Sequence, residues 1–166
     1  MSESRKDVLL KALEAEVGGA SVDLETLFTD DVVGWSPYAT VSGLTALADL
    51  SALREEAFSN VAISLRGLDE VGNKAFAEWL IEADHTGPLV LGEDAVVEAT
   101  GRHVQLAGVT VADFRAGKIR SFRTYFDDVS LIEQVVTVLR AGCRGVPGRR
   151  PSGSARHRIP RDADPP

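Results

Sequence analysis

The sequence predicts an α+β domain, with helices gathered toward the N-terminus followed by a single curved antiparallel sheet. Two observations carry this. The stretch Gly101–Asp128, GRHVQLAGVTVADFRAGKIRSFRTYFDD, holds two strand-forming runs, Arg102–Phe114 and Lys118–Phe126. Arg115-Ala116-Gly117 separates them, with glycine where a hairpin turn wants positive φ. Upstream, the order of elements is helix, helix, strand, helix and then strands in succession, which is the α+β pattern. Helices laid across the concave side of such a sheet leave a conical cavity.

The 166 residues, 44% hydrophobic and 26% charged, suit one domain with a core of useful size. The net charge of −7 is uneven. Residues 142–166 carry six arginines against Asp162 and Asp164, so residues 1–141 are strongly acidic. An acidic body argues against nucleic acid as a partner. The single cysteine, Cys143, permits no internal disulfide, and no Cys/His metal spacing is present. No signal-peptide core and no apolar run of about 20 residues occurs, so a cytoplasmic protein without a membrane span is expected.

Asp7–Val17 reads as an amphipathic helix, with Val8, Leu9, Ala12, Leu13 and Val17 on one face and Lys11, Glu14 and Glu16 toward water. Gly18-Gly19 ends it. Ser21–Phe28 is a second short helix. Asp30-Asp31 forms a corner into the strand Val32–Trp35, which breaks at Pro37. Gly43–Phe58 is a third helix on the stripe Leu44, Leu47, Leu50, Leu53, with Arg54, Glu55 and Glu56 read as solvated. Asn60–Leu68 and Lys74–His85 alternate as strands about a turn at Val71-Gly72-Asn73. Thr86-Gly87-Pro88 stops the second strand, and 89–100 is a loose acidic connection. Asp127 and Asp128 suit the start of a last helix, Ser130–Leu139. The domain is thus 1–141. Residues 142–166, with five prolines, four glycines and almost no large apolar side chain, are expected to be disordered.

Four segments carry a family resemblance: LETLFTDDVVGWSP (Leu24–Pro37) followed by Gly43, AEWLIEADHTGPL (Ala77–Leu89), TGRHV (Thr100–Val104) and GKIRSFRTYFDDVSLIEQ (Gly117–Gln134). In order and spacing the chain resembles the NTF2-like superfamily, in particular its SnoaL-like polyketide cyclases and the related ketosteroid isomerases and limonene epoxide hydrolases. The resemblance implies a cone-shaped domain with a pocket for a hydrophobic, carbonyl-bearing compound, without a cofactor or metal. It implies cyclisation, isomerisation or dehydration, or else a non-catalytic ligand-binding or dimerisation domain with the same pocket. It also implies a homodimer through the outer sheet face. The family's acid–base positions are altered here. Ser36 stands where the isomerases have a general-base Asp. Thr110 stands for an Asp or His of the penultimate strand, and Thr124 for an acid of the last strand. Trp79 and Ile81 replace the Arg and Asp of the epoxide hydrolases, and Asp7–Val17 holds no tyrosine. A register slip of one residue would turn Asp113 or Arg123 inward.

On this register the inward residues are Ala75, Ala77, Trp79, Ile81, Ala83 and His85 on one strand. The hairpin adds Val104, Leu106, Gly108, Thr110, Ala112, Phe122, Thr124 and Phe126. The expected ligand pocket is Trp35, Tyr38, Trp79, Ile81, Leu106, Thr110, Phe122 and Thr124; the alternative is a filled core with no cavity. His85 is the candidate proton-transfer group, set against a capping or packing role before Gly87-Pro88. Ser36 is the second candidate, able to hold a ligand oxygen but not to deprotonate carbon unaided. Glu78, Glu82, Asp84, His103, Gln105, Asp113, Arg123 and Tyr125 fall on the outer face.

Overall fold

The computed structural model describes residues 4–16, 23–91 and 95–136. The chain begins with α1 (Arg5–Glu16), where the Ser4 hydroxyl accepts from the Asp7 amide at 3.1 Å and donates to its carboxylate at 2.8 Å, a reciprocal cap. α2 (Leu24–Leu27) is a single turn capped by Asp23. It runs directly into β1 (Phe28–Ser36), which turns at Pro37-Tyr38 into β2 (Ala39–Ser42). α3 (Leu44–Ala57) follows, and then β3 (Phe58–Val71) and β4 (Lys74–His85). A small hairpin, β5 (Leu89–Leu91) and β6 (Ala95–Val97), precedes β7 (His103–Arg115), β8 (Lys118–Phe126) and α4 (Asp128–Val135).

Six strands form one sheet in the order β2-β1-β8-β7-β4-β3. The α+β class is as expected, but the sheet is mixed: β1 lies parallel to β8 and every other neighbouring pair is antiparallel. Strand alternation dictates which residues face the core, not which strand lies alongside which. Pairing across more than 80 residues was therefore not legible. Irregularities at Ser59/Ala62 and Leu65/Gly67 on β3 break its ladder with β4 and bend that edge of the sheet. The β7–β8 turn has positive φ at Gly117, as the hairpin reading expected, and at Ala116 as well.

One face of the sheet packs on the helices. Leu9, Ala12 and Leu13 of α1 and Leu47 of α3 join Ala77, Trp79, Ala112 and Phe122 of the sheet in one buried cluster. Two glycines make the fit possible. A Cβ at Gly34 would collide with the Phe122 ring, and one at Gly108 with the Trp79 indole.

Several boundaries moved. The second helix shrinks to α2 because β1 already starts at Phe28; Asp30 and Asp31 therefore lie within a strand, and the Asp31 carboxylate pairs with Arg115 at the opposite hairpin. The connection 89–100 contains the β5–β6 hairpin. The last helix starts at Asp128, capped by the Asp127 carboxylate, which accepts from the Ser130 amide. The expected Gly18-Gly19 stop and the disordered tail at 142–166 lie outside the described residues.

Candidate functional site

Between the helices and the bent sheet lies a cavity of about 290 Å³. Its wall is apolar over most of its area, from Leu13, Phe58, Val104 and Phe126 among others. Of the expected pocket residues, Tyr38, Trp79, Ile81, Leu106 and Thr124 line it. The predicted register of the inner face is the observed one: Gly108 pairs with Phe126, Thr110 with Thr124 and Ala112 with Phe122.

Three expected pocket residues lie elsewhere. Trp35 is on the opposite face of β1, 41% exposed, with its ring 5.3 Å from that of Tyr125. It sits one position from the buried Ser36, and strand alternation sends the two to opposite sides. Phe122 is packed on Phe28, in the core beyond the cavity. Thr110 is buried behind the wall, where it takes the Trp79 Nε1–H at 3.0 Å and lies 3.0 Å from Thr124 Oγ1.

Neither candidate catalytic residue reaches the cavity lining. The Ser36 hydroxyl turns back to the Ala39 carbonyl, at 3.4 Å, in the β1–β2 turn. His85 is inward by parity, as expected, but Phe58 at the start of β3 and Thr100 cover it. Its ring is fully buried against Phe58 and its Nδ1 lies 3.0 Å from Thr100 Oγ1. Burial lowers its pKa below 6.5, with the backbone of Gly87 and Val97 acting the other way. Asp113 stays on the outer face with Lys74 and Arg123, so no slip brings it inward.

The charged groups on the wall come from the helices. Glu16, at the end of α1, is only 5% exposed, and its carboxylate meets the Arg54 guanidinium of α3 at 3.4 Å. Desolvation raises the Glu16 pKa above the ordinary 4.5, while the charge and hydrogen bond of Arg54 pull against that rise. Both had been read as solvated. The signal was available: Glu16 follows Ala12 by four residues and Leu13 by three, and Arg54 follows Leu50 by four and Leu47 by seven. Each continues its helix's buried stripe. Tyr38 also lines the wall, but its hydroxyl donates to the Asp128 carbonyl at 3.0 Å, and burial with Asp128 and Asp127 pushes its pKa up to about 12. It remains a neutral phenol. Among the described residues no cluster of His, Cys, Asp or Glu could hold a metal.

An α+β domain with helices closing a bent sheet over an oily cavity is the architecture of a recognisable class. The chain matches the SnoaL-like domain over residues 10–122, and it belongs to that family. A candidate SnoaL-like polyketide cyclase from Jannaschia sp. CCS1 shares the fold with a TM-score of 0.69 at 14% identity, covering 79% of this chain and 90% of that one. A SnoaL-like polyketide cyclase from Agrobacterium tumefaciens has a TM-score of 0.62 at 19% identity, covering 81% and 99%. A ketosteroid isomerase-like fold from Catenulispora acidiphila, in complex with trimethylamine, gives 0.59 at 16% identity over 76% and 91%. At these identities the likeness is one of fold. No curated protein matches the chain. No helix among the described residues is long and apolar enough to cross a membrane.

Proposed function

We propose that this protein is an enzyme of a hydrophobic, carbonyl-bearing, polyketide-like compound, and that Glu16 moves the proton. The reading rests on one observation: a buried carboxylate on the wall of an otherwise apolar cavity. Cyclisation, isomerisation and dehydration of such compounds share a first step, removal of a proton from carbon beside a carbonyl. A carboxylate whose pKa is raised by burial is a better base for that step than an ordinary one. Arg54 works against that rise through its charge and hydrogen bond, and it aims the carboxylate. The apolar wall supplies positioning by shape. His85 and Ser36, as they stand, support the cavity from behind and from the β1–β2 turn.

The test is carbon-acid exchange. With 1-tetralone in deuterated buffer, the protein should speed loss of the α-proton signal, and Glu16→Gln should cut that rate by about 100-fold or more while still binding the ketone. Equal acceleration in both proteins would overturn the assignment to Glu16, and wild-type exchange no faster than buffer would leave the non-catalytic ligand-binding reading. The proposal also takes the protein to be a homodimer through the outer sheet face, where Trp35 and Tyr125 form an exposed aromatic pair.

A further inference from the structure

The geometry points to a one-way hydrogen-bond relay, Trp79 to Thr110 to Thr124, that ends as a donor directed into the cavity and selects a ligand carbonyl oxygen. The direction follows from chemistry. An indole N–H can only donate, so Trp79 Nε1 gives its hydrogen to Thr110 Oγ1 at 3.0 Å. Thr110 is 1% exposed, and the acceptor its own hydroxyl hydrogen can reach is Thr124 Oγ1, also at 3.0 Å. The opposite sense, Thr124 donating to Thr110, would leave the Thr110 hydrogen buried without an acceptor, which is costly. Thr124 therefore accepts from Thr110 and keeps its own hydrogen free. Of the two threonines only Thr124 lines the cavity, so that hydrogen is offered to whatever occupies it.

The relay is built into the sheet. Thr110 and Thr124 face each other directly across β7 and β8. Trp79 pairs with Gly108 on β7, and the missing side chain there lets the indole lie across β7 and reach Thr110, two residues on. Each link in a buried chain polarises the next, so the terminal hydroxyl is a stronger donor than a lone threonine. A donor at the end of the relay matches a ketone or ester oxygen and strengthens its hold as that oxygen gains negative charge. It disfavours a ligand that presents only a hydroxyl hydrogen at this point. The inference rests on the proposed carbonyl-bearing ligand, but it concerns a different end of that ligand from the one Glu16 addresses.

Three probes of one shape test it: 9-fluorenone, 9-fluorenol and the hydrocarbon fluorene. The full chain should bind fluorenone about 3- to 10-fold more tightly than fluorene, the range of one net hydrogen bond. The infrared carbonyl stretch of bound fluorenone should fall below its value in a hydrocarbon solvent. Thr124→Val should abolish both effects and keep fluorene binding, which shows that the variant still folds. Trp79→Phe removes the first donor of the chain, so Thr110 polarises Thr124 less and the infrared shift of bound fluorenone should shrink while keeping its sign. The advantage of fluorenone over fluorenol and fluorene should narrow with it, whereas an equal weakening of all three probes with the shift unchanged would mean that Trp79 only packs and would overturn the relay. A carbonyl stretch unshifted in the wild type, or a shift that survives Thr124→Val, would also overturn it. Glu16→Gln should leave the shift in place. A shifted carbonyl with no tetralone exchange overturns only the catalytic reading; exchange with an unshifted carbonyl overturns only the relay. Failure of every probe to bind would overturn both.

Discussion

Gly108 lies directly beneath the indole of Trp79, closer than any side chain could tolerate. The absent Cβ is what lets a tryptophan on β4 cross to β7. Gly108→Ala should therefore overpack the inner face and destabilise the fold by about 1–3 kcal/mol. Thermal denaturation of the variant reads this directly, and an unchanged midpoint would mean that the indole has room to move.

Glu16 and Arg54 predict opposite pH behaviour from an ordinary surface pair. The folded-state pKa of Glu16 is raised by burial, so its protonated form favours the fold. That contribution is fully present below the unfolded value of about 4.5 and is lost as pH rises through the higher folded value. Glu16→Gln should accordingly gain stability relative to wild type between acid and neutral pH. Urea titrations at a series of pH values would show it; a variant that loses ground as pH rises would contradict the burial of the charge.

Removing the guanidinium tests the other half of the pair. Arg54 lowers the Glu16 pKa through its charge and its hydrogen bond. Arg54→Met should raise that pKa further and move the rising limb of the tetralone exchange profile to higher pH. An unmoved limb would mean that another group titrates.

These residues also mark how far the sequence could be read. Alternation on β7 and β8 is regular, and the placement of Leu106, Thr110, Phe122 and Thr124 on the inner face follows from it. That the cavity stops short of Thr110 and Phe122 does not follow, because depth depends on how α1 and α3 sit on the sheet. Glu16 and Arg54 were missed for a related reason. A charged residue at the end of an apolar stripe reads as solvated until the facing helix is known to bring its counter-charge. Trp35 and Ser36 cannot both face the cavity, since adjacent strand residues point to opposite sides, and it is Ser36 that is buried.

The outer face predicts assembly. Val33, Trp35, Val109 and Tyr125 are 49%, 41%, 39% and 49% exposed there, on three adjacent strands. If a second copy covers them, as proposed, Trp35→Glu should place a charge in the centre of that contact and weaken the dimer by about 30-fold, the scale of an aromatic hot spot. Sedimentation equilibrium checks it; a wild-type protein that is monomeric at high concentration would remove the homodimer.

The histidines of the sheet should titrate on opposite sides of 6.5. His103, exposed on β7, accepts a partner in Asp84, whose carboxylate lies 2.9 Å from its Nδ1 and raises its pKa, with Glu82 adding to the effect. His85, buried at the end of β4, is held below 6.5 by desolvation. The signs then differ. The pair at His103 supports the fold below 6.5 and fades as pH rises through the raised value. His85 supports the fold, as a neutral ring, above 6.5 and withdraws that support as pH falls through its lowered value. Long-range nitrogen–proton NMR spectra followed through pH 4 to 8, with His103→Gln for assignment, should show one sheet histidine charging early and the other late. A single shared midpoint would mean that His85 is open to water, and with it that Phe58 and Thr100 do not cover the end of β4.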